Sequence, residues 1–139
     1  MNFQEPFTKI GLIVIRDSKL LLVRKKNSNH LILPGGKVES DESEIECLNR
    51  ELFEELQVHP VNSSLKPYHT FVGQTAEERN REIRMKTYFG EIDGTPSPSS
   101  EIDSFFWCPL SESHADASPL LSTQIIPCLI EDRMIEHRP

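Results

Sequence analysis

Four aliphatic residues constrain this chain most: Ile45, Leu48, Leu52 and Leu56 recur at spacings of three, four and four. That period puts them on one face of an α-helix with polar residues opposite. It predicts a helix over 41–56, capped by Ser40 or Asp41 and closed by His59-Pro60. The aliphatic runs around it are too short to be helices. Residues 10–15 and 19–23, parted by Arg16-Asp17-Ser18, read as a hairpin. Residues 31–33 form a short strand stopped by Pro34-Gly35-Gly36. Strands resume over 68–72, 83–92 and 105–108. In the second of these, Ile83, Met85, Thr87 and Phe89 alternate with Arg84, Lys86 and Tyr88, giving one buried and one polar face. A second helix is expected over 120–135, kinked at Pro127. The Gly, Pro and Ser residues of 93–100 read as a loop. Strands with two separated helices imply a mixed-sheet α/β or α+β sandwich, built as one domain over 1–139.

Composition excludes several classes. At 139 residues, 37% of them hydrophobic, the chain can bury a real core without disulfides or a structural metal. Fifteen Lys+Arg against 22 Asp+Glu give a net charge of −7. That balance argues against polymeric nucleic acid and membrane surfaces, both polyanionic, and leaves room for a local basic pocket. Cys47, Cys108 and Cys128 form no CxxC pair, as expected of thiols in a reducing compartment. The five histidines form no HxxxH or HExxH pattern, so no zinc site is expected. The first residues lack a basic stretch followed by an apolar one, and the longest apolar run, 12–15, is far below the ~20 residues of a membrane span. A cytoplasmic protein, monomeric or homodimeric, is the expectation.

Chemistry concentrates in Arg50-Glu51-Leu52-Phe53-Glu54-Glu55. Glu51, Glu54 and Glu55 stand at i, i+3 and i+4, and like charges there cost ~0.2–0.5 kcal/mol per pair. Val58 and His59 follow, so no Lys or Arg at i+4 relieves them. A divalent cation would, and all-oxygen ligands select hard Mg²⁺, Mn²⁺ or Ca²⁺. Alone, three glutamates describe a solvated helix equally well. The preceding Pro34-Gly35-Gly36 changes the balance, because glycine lets backbone approach a ligand closely.

Gly36, then five residues to Glu42, then seven to Arg50-Glu51-Leu52-Phe53-Glu54-Glu55-Leu56-Gln57-Val58, resembles the Nudix box Gx5Ex7REUxEExGU, where U is aliphatic. The match covers 36–58 and departs only at Gln57, where the family has glycine. The resemblance implies an α/β/α sandwich with a mixed β-sheet between helices. It also implies a metal-dependent pyrophosphohydrolase acting on a nucleoside diphosphate linked to another group, with Mg²⁺ or Mn²⁺ as cofactor. By the motif, Glu54 and Glu55 are the principal metal ligands, and Glu51 is a third ligand or the base. Arg50 orients Glu51, the Gly35 carbonyl completes a coordination sphere, and Glu42 and Gly36 support the turn that faces the substrate.

Other residues join by position. Arg24, beside Lys25 and Lys26, lies where similar proteins set a basic residue against substrate phosphates; a solvated strand end is the alternative. Glu101, six residues before Trp107, resembles a loop glutamate that completes the site or acts as base in one branch of the family. A solvated carboxylate fits Glu101 equally well. Arg79 and Arg81 read as part of a charged loop, and Phe105 and Trp107 as core. Leu31 stands where relatives often carry an aromatic residue. Gln57 is expected in a left-handed helix end, carrying no chemistry. Small size and Glu101 suggest a nucleoside triphosphate pyrophosphatase of MutT type. An ADP-ribose or nucleotide-sugar pyrophosphatase, a non-catalytic nucleotide sensor and a calcium- or partner-binding acidic module are the alternatives.

Overall fold

The computed structural model describes residues 7–74, 81–112 and 115–136. In chain order the elements are β1 (Phe7–Ile13), β2 (Ile15–Arg16), β3 (Lys19–Lys25), β4 (Leu31–Ile32), β5 (Gly35–Lys37), α1 (Glu44–Leu56), β6 (His59–Pro60), β7 (Lys66–Gln74), β8 (Glu82–Phe89), β9 (Ile92–Asp93), β10 (Ile102–Pro109) and α2 (Ile126–Glu136). A 3₁₀ turn spans Asn62–Ser64 and a π-helical turn spans Leu121–Ile125.

The strands form two four-stranded sheets and a small third one. The first runs β5-β1-β8-β7 and is mixed, because β1 lies parallel to β8 while β5 and β7 pair antiparallel. The second places β10 and β4 against β3, which also pairs with β2, all antiparallel. The expected hairpin is therefore shorter than its sequence. Only Ile15 and Arg16 pair with Leu20 and Lys19, around Asp17 and Ser18 at φ 52° and 62°, the left-handed pair that a two-residue hairpin turn requires. The rest of β1 belongs to the other sheet, and the two sheets meet where Leu21 N–H donates to Val14 O at 3.0 Å.

Alternation along β1 and β3 feeds a core on each side. Ile10, Leu12, Val14, Leu21 and Val23 pack with Cys47, Leu48, Leu52 and Leu56 of α1. Ile13, Leu20 and Leu22 pack with Leu121, Ile125, Ile126 and Leu129 on the α2 side. Period-2 strands between two amphipathic helices make the α/β/α layering, as the box resemblance implied. The strand set is two joined sheets rather than the single mixed one expected. Phe105 and Trp107 lie partly buried against the α1-side core, in keeping with their reading as core residues. Among the described residues no helix is long and apolar enough to cross a membrane.

Helix ends differ from expectation in an instructive way. Ser43, not Ser40 or Asp41, caps α1: its hydroxyl accepts the Glu46 N–H while the Glu46 carboxylate accepts the Ser43 N–H, a reciprocal capping box. Asp41, at φ 67°, is spent in the preceding turn. At the other end Gln57 takes the left-handed conformation (φ 56°, ψ 32°) and donates its N–H to Phe53 O at 2.9 Å. His59-Pro60 does not close the helix but pairs with β9. Pro127 is the second residue of α2. It has no N–H for the ladder, and the wide π turn lies directly before it. Nor is Glu44 an indifferent surface carboxylate: it accepts from Lys86 Nζ at 2.8 Å and from the Tyr88 hydroxyl, tying the start of α1 to β8.

A non-glycine residue held left-handed costs roughly 1 kcal/mol. Gln57→Gly should therefore raise the melting temperature by about 3 °C while leaving divalent-cation affinity unchanged. Thermal melts with and without Mn²⁺ check both halves. A lowered melting temperature would mean that the Gln57 side chain itself holds the helix end.

Candidate active site

Residues 34–37 bring α1 to the first sheet. Gly35, Gly36 and Lys37 are not a flexible turn but β5, in register with Gly11, Ile10 and Lys9 of β1. Two glycines here are a steric requirement. Gly35 sits at φ 143°, outside the range of ordinary side chains, and a Cβ there would strike the Ile10 carbonyl. A Cβ on Gly36 would lie 2.6 Å from both Glu51 carboxylate oxygens. The bare backbone of Gly36 thus makes the seat in which Glu51 rests.

Beside that seat opens a cavity of about 540 Å³, within the usual range of small-molecule sites. Glu51, Glu55 and Glu101 line it together with Gly35, Gly36 and four lysines, Lys9, Lys25, Lys26 and Lys37. Its far wall is apolar: Ile83 and Met85 from β8, and Leu120, Leu121 and Ile125 from the segment leading into α2. Gln74 and Ser118 add polar atoms.

Glu55 is the deepest charge, only 6% exposed. Its Oε1 accepts the Gly35 N–H at 3.0 Å. Burial pushes its carboxyl up to about 8; the Gly35 N–H opposes this, repulsion from Glu51 adds to it, and Lys25 and Lys9 pull back. Burial also raises Glu51, with Arg50 opposing. Two oxygen-donor side chains that share a cavity and resist ionisation suit a hard divalent cation, which would compensate both charges at once. The residues present therefore fit the metal that the box implies.

Arg50 holds the group in place. Its Nε and Nη2 clasp Glu42 at 2.6 and 3.0 Å, Nη1 donates to Glu51 Oε1 at 2.8 Å and lies 3.3 Å from Glu54 Oε2, and Nη2 reaches Lys37 O at 3.1 Å. The expectation that no basic residue relieves the acidic helix is corrected here. Arg50 does so from the N-terminal side, at i−4 from Glu54 and i−1 from Glu51. It draws the Glu42 carboxyl down to about 2. Cys47, just behind, is fully buried and its thiol is pushed up to about 12, which makes it unreactive.

The three box glutamates do not share one environment. Glu51 and Glu55 face the cavity, whereas Glu54 is half exposed beside Arg50 and outside the lining. Gly35 meets Glu55 with its N–H, where the expectation concerned its carbonyl. Glu42 lies under Arg50 and accepts the Glu39 N–H at 3.0 Å, closing the turn before α1. Glu101 does come to the cavity. β10 runs back along β3, Lys26 N–H donates to Glu101 O at 2.8 Å, and Ser97 and Ser99 donate their N–H groups to Leu56 and Glu55 carbonyls at the end of α1. Arg24 does not. It lies 3.7 Å from Asp103 and over the Phe106 ring, while its neighbour Lys25, on the opposite face of β3, enters the lining. Arg81 stacks on Phe7 at the cavity edge. Arg79 is outside the described residues.

A family model described as NUDIX domain matches residues 6–126. The chain belongs to the Nudix family. A curated relative, the uncharacterized Nudix hydrolase YvcI of Bacillus subtilis strain 168, is 33% identical over 75 residues, covering 54% of this chain and 48% of the relative. The match thus spans about half the length of that protein. The crystal structure of a MutT NUDIX hydrolase from Burkholderia pseudomallei superposes with a TM-score of 0.74 at 20% identity, covering 92% of this chain and 98% of that one. A bifunctional NMN adenylyltransferase/ADP ribose pyrophosphatase from Francisella tularensis, solved with AMP and a Mn ion, gives 0.65 at 21% identity, covering 95% of this chain and 43% of that one. These likenesses establish a Nudix fold.

Sequence reasoning missed Lys9, Lys25, Lys26 and Lys37 as a group, and the apolar wall around Leu121. No local signal joins them, because the lysines come from three separate segments and the apolar wall from two more. The raised Glu55 carboxyl makes a testable pH dependence. Its folded value of about 8 exceeds the ordinary 4.5, so its contribution to metal-free stability falls as pH rises through that window. A cation needs the ionised form. The rise in melting temperature on adding Mn²⁺ should therefore be larger at about pH 8 than at about pH 5.5. An equal rise at both, measured in matched buffers, would remove Glu55 from the ligand set.

Proposed function

We propose that this Nudix protein hydrolyses the pyrophosphate linkage of a nucleoside diphosphate derivative, with a ribo- or deoxyribonucleoside triphosphate as the preferred substrate. The observation that carries the reading is the pairing of Glu51 with the buried Glu55 inside a lysine-lined cavity of nucleotide size. In this reading Glu51, Glu54 and Glu55 hold Mg²⁺ or Mn²⁺. Bound there, the cation would neutralise the diphosphate and lower the pKa of an attacking water.

The chain's own residues do the remainder. Lys25 and Lys26, at the end of β3, meet the phosphate oxygens in the position first considered for Arg24. Gly36 leaves room for close approach, and the wall of Ile83, Met85, Leu121 and Ile125 takes the apolar surface of the nucleoside. As the water oxygen bonds to phosphorus and the bridging P–O bond breaks, a carboxylate accepts the water proton. Glu101, which lines the cavity, is the base in this reading, with Glu51 as the other candidate. Arg50 fixes the orientation of Glu51 through its 2.8 Å contact.

The ADP ribose pyrophosphatase activity of the Francisella protein puts ADP-ribose and nucleotide sugars in the test panel beside the nucleoside triphosphates. Purified protein with Mg²⁺ should split one of these at its P–O–P bond, giving a nucleoside monophosphate with pyrophosphate from a triphosphate or with a sugar phosphate from ADP-ribose or a nucleotide sugar, identified by chromatography, and EDTA should abolish turnover. Binding without turnover would make the protein a nucleotide sensor instead.

Two substitutions divide the roles. Glu54→Gln should lower kcat by at least ~10²-fold with the fold intact, whereas the exposed Glu112→Gln should leave it unchanged. If both behave alike, the acidic face is only surface. Glu101→Gln should lower kcat at constant melting temperature and flatten the acidic limb of its pH profile. A wild-type profile in that variant assigns the base to Glu51.

A further inference from the structure

Outside the cavity lining, three side chains of a different chemical character converge. His69 of β7 and Cys128 and Asp132 of α2 present ligand atoms that all lie within 4.8 Å of one another. Cys128 and Asp132 stand at i and i+4, one turn apart on one helix face, with Sγ 4.0 Å from Oδ2. The sequence hides this group, since His69 precedes Cys128 by 59 positions and belongs to a strand.

The strand is built to make the convergence. Pro67 pairs with Tyr88 and Thr70 with Lys86, so three steps on β7 span two on β8: a β-bulge with Tyr68 and His69 opposite Thr87 alone. In a regular strand consecutive side chains point to opposite faces. Here the bulge turns both toward α2, and Thr87, 2% exposed, pins it by donating its hydroxyl to His69 O at 2.7 Å. The Tyr68 hydroxyl then bonds to both helix ligands, lying 3.0 Å from Cys128 Sγ and donating to Asp132. It orients them as an outer partner orients metal ligands.

We propose that His69, Cys128 and Asp132 form a binding site for a borderline-soft divalent cation of the Zn²⁺ class, separate from the acidic cavity. One imidazole, one thiolate and one carboxylate match the donor preference of such an ion and not that of Mg²⁺. Ligand bonds of about 2.0–2.3 Å put tetrahedral donors about 3.4–3.7 Å apart, so closure from separations of up to 4.8 Å asks for a contraction of at most about 1.4 Å. His69 is exposed, its ring tilted against that of Tyr68 with centroids 4.4 Å apart. Binding displaces the Cys128 thiol proton to solvent, the two anionic ligands balance the dication, and water or the Tyr68 hydroxyl takes the fourth position. The ion would rivet α2 to β7, and the segment entering α2 walls the cavity through Leu121 and Ile125. The site is independent of the catalytic reading.

Cobalt tests it directly. Co²⁺ titrated into the whole protein under excess Mg²⁺ should give, at one equivalent, a thiolate-to-cobalt charge-transfer band and tetrahedral visible bands, both erased by equimolar Zn²⁺. Cys128→Ser should abolish the charge-transfer band, His69→Ala should weaken Co²⁺ binding at least tenfold, and Glu54→Gln should change neither. His69→Ala alters an exposed side chain, so it decides the matter even if Cys128→Ser folds poorly. Absence of the band, or its persistence in the variants, would overturn the proposal.

Discussion

One guanidinium organises the acidic end of this molecule. Arg50 touches Glu42, Glu51, Glu54 and the Lys37 carbonyl, and so joins the turn before α1, the helix itself and β5. Without it, Glu42, Glu51 and Glu54 would repel across a few ångströms in a partly dry site. A planar group with five donors is required, since a lysine ammonium is a point charge that cannot clasp Glu42 with two parallel bonds while reaching Glu51. The brace also explains the contrast between the carboxylates. Arg50 holds Glu42 ionised far below neutrality, whereas Glu55, out of its reach and buried, resists ionisation. The site thereby separates a carboxylate held ionised from one held protonated by its burial.

That arrangement depends on strands whose two faces answer to different helices. Ile10 and Leu12 sit under α1, and Ile13 faces the α2 side. Between them Gly11 pairs with Gly35, bringing β5, and with it the Glu51 seat, against β1. The backbone N–H that holds Glu55 therefore belongs to a strand paired with β1, whose residues Ile10 to Ile13 are buried on both faces. The geometry of the carboxylates is set by the core rather than by the mobility of their own side chains.

The legible part of this fold was its periodicity. The spacing of Ile45, Leu48, Leu52 and Leu56 gave α1, the alternation through Ile83, Met85 and Thr87 gave β8, and the box placed its glutamates near two glycines. What periodicity could not carry was pairing. Nothing local says that β1 leaves its apparent hairpin partner to lie parallel to β8, since that choice is made by long-range packing. Cap placement failed for a related reason. Ser40, Asp41 and Ser43 are all competent caps, and only the reciprocal bond with Glu46 selects Ser43. For the site, Arg24 was chosen over Lys25 because sequence does not show which face of β3 meets the cavity. A single step along a strand reverses the answer.

Electrostatics reconciles an acidic protein with an anionic substrate class. The whole chain carries −7, yet the charged residues lining the cavity are four lysines and three glutamates, a formal balance of +1. Two of those lysines, Lys25 and Lys26, end β3, and Lys9 and Lys37 face one another across the β1–β5 pair. The glutamates arrive instead from α1 and from the loop before β10. Positive and negative groups therefore enter from different elements. Glu55, protonated more readily than an ordinary carboxylate, lowers the negative charge further until a cation binds. A polyphosphate approaching this surface meets a locally basic opening in an acidic field, and low-dielectric walls of Leu121, Ile125 and Met85 concentrate that local potential.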